Sequence, residues 1–368
     1  MRRAAVVTTL ALAATLAIGG ANASAKVPRS FYGIVPLTSL TGSDFQRMGA
    51  ARVGTFRFQM LWSNLQPTHH GGFNFTATDQ TVALAAQQHI TLLPILAGTP
   101  AYESGGCTSQ DCSRHIEIGT AAKRSDWKDF VTVLVNRYGP NGDFWSQNPG
   151  IPYDPVRQWQ IWNEQNAPNQ KDPPKLYAKL LKLTDSALGA VDPRARIVVG
   201  GMFGTPKGSK KFSAWKYLSG VYRAGGGKHF DAVALHPYSP KVPGTLPFQI
   251  KKIRGVLKAH HDSSKKLFVT EIGWGSSKKK HPGTGPLGAQ FNVTPKKQAK
   301  NLTESFKLLT SHRKRWKIGG VDWFTWKDPA NPPPGLCAFC YSSGLYHADG
   351  HTAKPALRAF KRFTRRTR

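Results

Sequence analysis

The sequence predicts a closed (β/α)8 barrel, and two observations lead to that prediction. Short apolar runs alternate eight times with stretches in which apolar residues recur every three or four positions, as they do in amphipathic helices. The runs are apolar throughout, which is typical of parallel strands covered on both faces. An open, doubly wound sheet is the alternative, and it would usually bring a phosphate-binding glycine loop. The nearest match is Gly-Gly-Gly-Lys at 225–228. The Walker pattern also requires a glycine five residues before Gly227, and position 222 is not a glycine.

Each apolar run in the first half of the chain is followed by a stretch with helical periodicity. The first four strands are predicted at 31–37, 51–62, 90–96 and 159–166. The helices that follow them are predicted at about 41–49, 76–89, 122–138 and from 173 to the residue before Pro193. Ser125 is the expected N-cap of the third helix, because a serine side chain can accept a hydrogen bond from the first helical turn. Pro173-Pro174 suits the start of the fourth helix.

The second half of the chain repeats the same alternation. The remaining strands are predicted at 195–202, 230–235, 267–271 and 320–326. The remaining helices are predicted around Phe212–Tyr222, near 248–261, after Thr294-Pro295 and around Leu357–Phe363. Eight strands and eight helices in strict alternation suit one barrel of ordinary size.

The N-terminus has the pattern of a secretory signal peptide. Met1-Arg2-Arg3 precedes a stretch of small apolar residues that ends in Ala23-Ser24-Ala25, a small-x-small cleavage site before Lys26. A membrane anchor is the alternative, but the run is interrupted by threonines and is shorter than the roughly 20 residues of a membrane span. We therefore expect residues 1–25 to be removed on export and no transmembrane segment in the mature, extracellular protein. Residues 26–368 are expected to form one barrel domain with a short basic C-terminal tail.

The chain is strongly basic, with a formal net charge of +31. An excess of basic residues is typical of nucleic-acid-binding proteins. However, no recognition-helix, zinc-finger or ribonucleoprotein motif accompanies the basic residues here. For an exported protein the alternatives are a solvated basic surface and attraction to an anionic envelope or an acidic polysaccharide. We expect a carbohydrate partner, with the charge favouring an acidic glycan, and no nucleic acid.

The four cysteines form two close pairs, each in a loop rich in Gly, Ser and Pro. Cys107 and Cys112 make the first pair, and Cys337 and Cys340 the second. Export implies an oxidising compartment, so two local disulfides are predicted. The spacing does not suit a four-cysteine zinc site, and a redox Cys-x-x-Cys pair would be expected at a helix start. No metal ligands and no cofactor are predicted.

Two of the five glutamates of the chain close apolar strands. Glu164 follows the apolar run through Trp162, and Glu271 follows 267–270. Because the carboxyl ends of barrel strands meet at one rim, the fourth and seventh strands would place these two side chains at the same mouth. Glycoside hydrolysis needs two carboxyls that flank one bond, one protonated and one ionised. A structural ion pair with a neighbouring arginine is the plainer alternative for either glutamate.

The two strand ends carry a resemblance to a known group of enzymes. Trp162-Asn163-Glu164 and Thr270–Trp274 resemble the fourth- and seventh-strand motifs of clan A retaining glycoside hydrolases. Family 39 is the most similar, with family 5 related, and three further segments carry that likeness: 61–67, 72–79 and 93–100. The resemblance covers nearly all of the mature chain. One departure is Gln165, where the resembling enzymes usually have proline.

The resemblance implies a role for each of several residues at the strand ends. Glu164 would be the acid/base and Glu271 the nucleophile. Asn163 would contact the sugar 2-hydroxyl, an interaction that strengthens in the transition state. Arg57 would keep the nucleophile ionised, and Tyr238 would form a hydrogen bond with it. A salt bridge within the barrel is the alternative role for Arg57.

Three further residues would line the sugar site by the same resemblance. His236 would border the subsite, although a core histidine with satisfied hydrogen bonds is an equal alternative. Trp274 and Trp326, at the ends of the seventh and eighth strands, would form platforms for the sugar ring. Buried core packing is the alternative for both tryptophans.

These observations together predict a secreted retaining glycoside hydrolase that cleaves O-glycosidic bonds of a polysaccharide or oligosaccharide by double displacement. Two alternatives stay open. One is a polysaccharide-binding barrel without catalysis, and the other is an envelope-attached structural protein that uses its charge to hold an anionic polymer. Turnover of a glycan would distinguish the hydrolase from both non-catalytic alternatives.

Overall fold

The computed structural model describes residues 27–167, 170, 172–204, 213–277, 289–332 and 336–367. The predicted signal peptide, residues 1–25, lies outside the described residues, and so does Phe212. Cleavage of the signal peptide and the single-domain assignment therefore stay predictions.

Eight parallel strands close into a barrel in chain order, which confirms the predicted (β/α)8 fold. The strands are β1 (Tyr32–Val35), β2 (Thr55–Leu61), β3 (Thr91–Ala97), β4 (Gln158–Asn163), β5 (Arg196–Phe203), β6 (Ala232–His236), β7 (Lys266–Ile272) and β8 (Ile318–Phe324). Closure comes from pairing of β8 with β1, where Gly33 lies opposite Asp322. All eight carboxyl ends therefore meet at one rim.

Helices surround the barrel and connect successive strands. They are α1 (Gly42–Ala50), α2 (Trp62–Leu65), α3 (Thr76–Gln87), α4 (Gln110–Ser113), α5 (Ala121–Tyr138), α6 (Asp143–Gln147), α7 (Pro174–Val191), α8 (Ala214–Arg223), α9 (Leu246–Ala259), α10 (Pro295–Ser311) and α11 (Pro355–Thr364). The predicted N-cap Ser125 is wrong, because α5 begins four residues earlier. Thr120 caps that helix instead, with its side chain accepting a hydrogen bond from the Lys123 amide.

The apolar core has two parts. The larger part fills the space between the strands and the surrounding helices. A small separate cluster, drawn from β3, β5, β6 and β7, fills part of the barrel interior; its members are Leu93, Val198, Ala232, Ala234 and Phe268. Arg57 and Gln160 are among the polar side chains that the strands bury completely. Buried polar groups need partners, so these two indicate a structured polar network inside the sheet.

Both predicted cysteine pairs are joined as disulfides. The Cα atoms are 6.0 Å apart in Cys107–Cys112 and 5.2 Å apart in Cys337–Cys340. Within the described ranges, none of the helices combines the length and apolar composition that crossing a bilayer requires.

A buried ion pair ties together the loops that follow β7 and β8. The Lys354 ammonium, whose side chain is 1% exposed, pairs with Asp328 and donates to Ser276 Oγ and the Ser342 carbonyl at 3.0 and 2.9 Å. Replacing Lys354 with methionine would leave the buried Asp328 carboxylate without its cation. We expect a loss of about 3–5 kcal/mol in the free energy of unfolding, measured by urea titration.

The matched control for that substitution is an exposed pair on α10. Lys300 and Glu304 approach to 3.7 Å, and the lysine side chain is 64% exposed. Lys300→Met should change the free energy of unfolding by less than about 1 kcal/mol, because solvent screens the pair. Equal losses in the two variants would contradict the role assigned to burial.

Candidate active site

The predicted site residues converge at the carboxyl-terminal rim of the barrel. A cavity of about 660 Å³ opens there, lined by Arg57, Asn163, Glu164, Tyr238 and Glu271, among others. A second cavity of about 570 Å³ has part of the same lining, including Asn163. The rim thus offers two neighbouring cavities, and the first of them borders both glutamates.

The two glutamates lie next to each other with a histidine between them. One carboxylate oxygen of Glu164, one of Glu271 and a ring nitrogen of His236 all lie within 4.8 Å of one another. His236 is fully buried; its Nδ1 is 2.8 Å from Glu164 Oε1, and its Nε2 is 3.5 Å from Glu271 Oε1. His236 therefore contacts both carboxylates, rather than packing as an ordinary core histidine.

Glu271 is surrounded by groups that favour its ionised form. Arg57 Nη1 donates to one carboxylate oxygen at 2.8 Å, and the Tyr238 hydroxyl donates to the other at 2.9 Å. Burial alone would raise the pKa of Glu271. The electrostatic effects of His236 and Arg57, together with the two hydrogen bonds, outweigh burial, so this pKa lies below its ordinary value. The carboxylate is thus kept anionic and fixed in position.

Arg57 is itself held by side chains from β4. Its Nε donates to Gln160 Oε1 at 2.8 Å, and its Nη2 donates to Asn163 Oδ1 at 2.6 Å. Gln160 in turn donates to the Trp162 carbonyl at 2.8 Å. The Arg57 contact uses the oxygen of the Asn163 amide, which leaves the amide NH2 group as the donor for a ligand.

Gln160 was not identified as a site residue from the sequence, although its position in a buried strand indicates a polar contact. An amide between two apolar residues in the middle of β4 has to find a partner when the strand is buried. The run Trp159-Gln160-Ile161 therefore indicated a polar group inside the barrel. The arginine that Gln160 binds could not be identified from the run alone, because the two residues are 103 positions apart.

The backbone that presents Glu164 is strained. Trp162 and Glu164 adopt φ values of 67° and 51°, in the left-handed region that non-glycine residues rarely occupy. The turn that follows is bonded to β5 through the side chain of Asn166. Its Nδ2 donates to the Phe203 carbonyl and its Oδ1 accepts from the Phe203 backbone N–H, both at 2.8 Å. Gln165 is fully buried in this turn. The turn is therefore anchored although Gln165 replaces the proline of the resembling enzymes.

A glycine on β5 makes room for His236. A Cβ atom at Gly201 would lie 2.0 Å from His236 Nε2, far closer than any real contact. Any larger residue would push the imidazole away from the two glutamates. The position of His236 thus depends on a neighbouring strand as well as on β6.

The two predicted aromatic platforms are wrong. Trp274 is fully buried, and its indole nitrogen donates to the Ser239 carbonyl at 3.0 Å. Trp326 is also fully buried, and its indole nitrogen donates to Asp44 Oδ1 at 3.2 Å. Neither ring has a face open to a ligand, so neither can stack on a sugar.

An aromatic residue that sequence reasoning overlooked lines the cavity instead. Phe324, the last residue of β8, borders the same space as both glutamates. The predicted strand extended two residues too far, to Trp326. Because β8 ends at Phe324, this phenylalanine is the aromatic residue that β8 contributes to the rim.

The cluster of Glu164, His236 and Glu271 has the spacing of possible metal ligands. However, both oxygens of Glu271 already accept hydrogen bonds, one from the Arg57 guanidinium. A cation at this position would be repelled by that guanidinium and would displace its hydrogen bond. The donor set therefore fits a paired carboxylate better than a metal ligand.

Comparisons with known proteins find similar solved structures. No protein-family model matches the chain, and no curated protein sequence matches it. The structure is similar to a family 39 glycoside hydrolase from the gut symbiont Bacteroides cellulosilyticus WH2, at 20% identity and a TM-score of 0.65. That match covers 92% of this chain and 63% of the other.

Two further solved structures have the same barrel. One is the exo-beta-1,4-mannosidase Op5Man5 from Opitutaceae bacterium strain TAV5, at 14% identity and a TM-score of 0.59, with 92% of this chain and 59% of that one covered. The other is xylanase 10B from Thermotoga maritima, at 13% identity and a TM-score of 0.59, with 91% and 94% covered. The chain spans less than two thirds of the first two proteins. These matches confirm the predicted fold: the chain has the same (β/α)8 barrel as these solved glycoside hydrolases.

Proposed function

We propose that the chain is a retaining glycoside hydrolase that cleaves O-glycosidic bonds by double displacement. The observation that carries the proposal is the pair of carboxylates, Glu164 and Glu271, whose nearest oxygens lie within 4.8 Å at the rim. Retaining enzymes hold their two carboxyls about 5–5.5 Å apart, whereas inverting enzymes leave about 6.5–9.5 Å for a water molecule. The short separation supports retention.

In the first step, a carboxylate oxygen of Glu271 attacks the anomeric carbon. The bond to the leaving oxygen breaks, and Glu164 gives that oxygen its proton. The products of this step are a glycosyl ester on Glu271, a free alcohol and an ionised Glu164. The Arg57 guanidinium and the Tyr238 hydroxyl bind Glu271 and favour the anionic form that can attack.

In the second step, Glu164 removes a proton from a water molecule, and the water oxygen attacks the same anomeric carbon. The ester bond breaks, Glu271 leaves as a carboxylate, and both side chains return to their starting states. His236, at 2.8 Å from Glu164, is a positioning residue for the acid/base. The Asn163 amide is the proposed donor to the sugar 2-hydroxyl.

The chemistry of the rim supports a poly- or oligosaccharide substrate. A cavity of about 660 Å³ borders both glutamates, and a second of about 570 Å³ shares Asn163 with it. Together they exceed the space that one sugar ring needs. Arg114 lines both cavities, and the net charge of +31 adds attraction for an anion. An acidic glycan is therefore the first substrate class to test.

A panel of neutral and uronic-acid oligosaccharides, assayed for new reducing ends, tests the proposal. We expect turnover of at least one member by the wild type and none by a Glu164, Glu271 double variant. Binding without turnover across the whole panel would favour the polysaccharide-binding barrel. Binding that disappears in high salt, again without turnover, would favour the structural protein that holds an anionic polymer.

We also propose that the protein is exported, a step that rests on residues 1–25 and on the two disulfides. Expression of the full chain in a secreting host should release a protein whose first residue is Lys26. Recovery of the unprocessed chain from the cytoplasm alone would contradict export and leave the proposed chemistry untouched.

The pH dependence of activity should respond to the partners of Glu271. The nucleophile must be ionised, so kcat/KM falls when the pH drops through the pKa of Glu271, which in the wild type lies below the ordinary 4.5. Arg57→Met removes a charge and a hydrogen bond and should move this acidic limb to higher pH. Tyr238→Phe removes only a hydrogen bond and should move it less.

The readout for these variants is the midpoint of the acidic limb of kcat/KM against pH. A merely structural role of Arg57 would lower activity equally at every pH and leave the midpoint in place. That result would contradict the electrostatic role of the guanidinium.

A further inference from the structure

A second cluster of ionisable side chains lies outside the candidate active site, where three separate segments meet. His69 lies between α2 and α3, Glu103 follows β3, and Asp126 lies in the first turns of α5. One ligand atom of each residue lies within 4.8 Å of the other two. The convergence of one imidazole and two carboxylates from distant segments is the donor arrangement of a metal site.

The buried member of this cluster has an unpartnered oxygen. Glu103 is 3% exposed, and its Oε2 atom has no hydrogen-bond partner. The nearby Lys123 pairs with Glu117 at 3.1 Å and donates to the backbone carbonyl of Glu103, rather than to its carboxylate. A nearly buried carboxylate with an oxygen that lacks a partner is uncommon, because burying a polar atom without a hydrogen bond costs free energy.

The distances suit a small divalent ion. Zinc binds imidazole nitrogen and carboxylate oxygen at roughly 2.0–2.2 Å, so neighbouring ligand atoms in a tetrahedral site lie about 3.4 Å apart. His69 Nε2 lies 3.6 Å from Asp126 Oδ2, close to that separation. The side chains of His69 and Asp126 are 48% and 20% exposed, so an ion can enter from solvent and keep water as a further ligand.

We propose that His69, Glu103 and Asp126 bind one divalent transition-metal ion, with Zn²⁺ as the first ion to test. The ion would fasten the segment after β2 to the segment after β3 and to α5. Residues of the first two segments, including Pro67 and Ala101, line the second cavity at the rim. The site would therefore hold one wall of the candidate active site in place without entering the chemistry, and it does not depend on the proposed hydrolase activity.

The test is thermal unfolding of the full chain, prepared without a polyhistidine tag and stripped with a chelator. Added ZnCl2 or MnCl2 should raise the Tm by a few degrees, because an ion that binds only the folded state stabilises it. Calorimetric titration with Zn²⁺ should give one ion per chain. His69→Gln and Asp126→Asn should abolish both effects, and His69 is exposed enough for its substitution to leave the fold intact.

The matched control is a histidine–aspartate pair elsewhere on the surface. His229 Nδ1 lies 2.8 Å from Asp185 Oδ2, and His229→Gln should keep the full response to Zn²⁺. The proposal would be overturned if no transition-metal ion raised the Tm, or if the wild type and His69→Gln responded equally. In the first case Glu103 and Asp126 simply share a proton, and in the second the ion binds elsewhere.

Discussion

Replacing Glu271 with glycine is expected to lower hydrolysis by a factor of about 10⁴ or more, because the attacking carboxylate is lost. Added azide should restore part of the activity by occupying the space of the missing side chain. Azide would attack the anomeric carbon directly, without a prior glycosyl ester, so the glycosyl azide should have the inverted configuration. Product analysis by NMR in the presence of azide is the measurement.

A neutral substitution of another glutamate controls for this result. Glu304 lies on α10, and its side chain is 38% exposed in its pair with Lys300. Glu304→Ala should keep full activity. Full activity in Glu271→Gly, or loss in both variants, would remove Glu271 from the nucleophile role.

Replacing Glu164 with alanine is expected to have an effect that depends on the leaving group. Loss of the acid should slow cleavage of a natural glycan by about 10²–10⁴-fold, because the departing oxygen no longer receives a proton. An aryl glycoside whose phenol leaves without protonation should still form the glycosyl ester on Glu271. Azide should then attack that ester, and the glycosyl azide should have the retained configuration.

The two variants should give azide products of opposite configuration, and this difference distinguishes the role of Glu271 from that of Glu164. Glu164→Gln is the matched variant, since it keeps the size of the side chain that contacts His236. Equal losses on the glycan and on the activated aryl glycoside would contradict an acid role for Glu164.

The barrel and the positions of the two carboxylates could be predicted because both depend on local patterns. The apolar runs mark strands buried on both faces, and strand direction alone brings Glu164 and Glu271 to one rim. The predicted hydrogen bond of Tyr238 and the predicted proximity of Arg57 to Glu271 are both present in the structure. Their roles in catalysis stay predictions until activity is measured.

The aromatic platforms could not be predicted. Whether an aromatic side chain lines the cavity or packs in the core depends on where its strand ends. Trp326 lies two residues beyond the end of β8 and packs against Asp44 and Tyr346. Phe324 takes the position at the rim. A shift of two residues in a strand end is within the normal error of sequence patterns, yet it exchanges one aromatic ring for another.

The side-chain contacts between strands could not be predicted from the sequence either. The pairing of Arg57 with Gln160 joins residues 103 positions apart, and the space for His236 depends on Gly201 in a neighbouring strand. The cluster of His69, Glu103 and Asp126 has no characteristic spacing along the chain. Such contacts arise from the closure of the barrel and the packing of its loops, and no local periodicity records them.

The stereochemical course of wild-type hydrolysis tests the central claim most directly. Proton NMR can follow the anomeric signal of the first-formed sugar before mutarotation, on any member of the panel that is turned over. Carboxylates whose nearest oxygens lie within 4.8 Å predict a product with the same anomeric configuration as the substrate. A first-formed product of inverted configuration would contradict double displacement at Glu271.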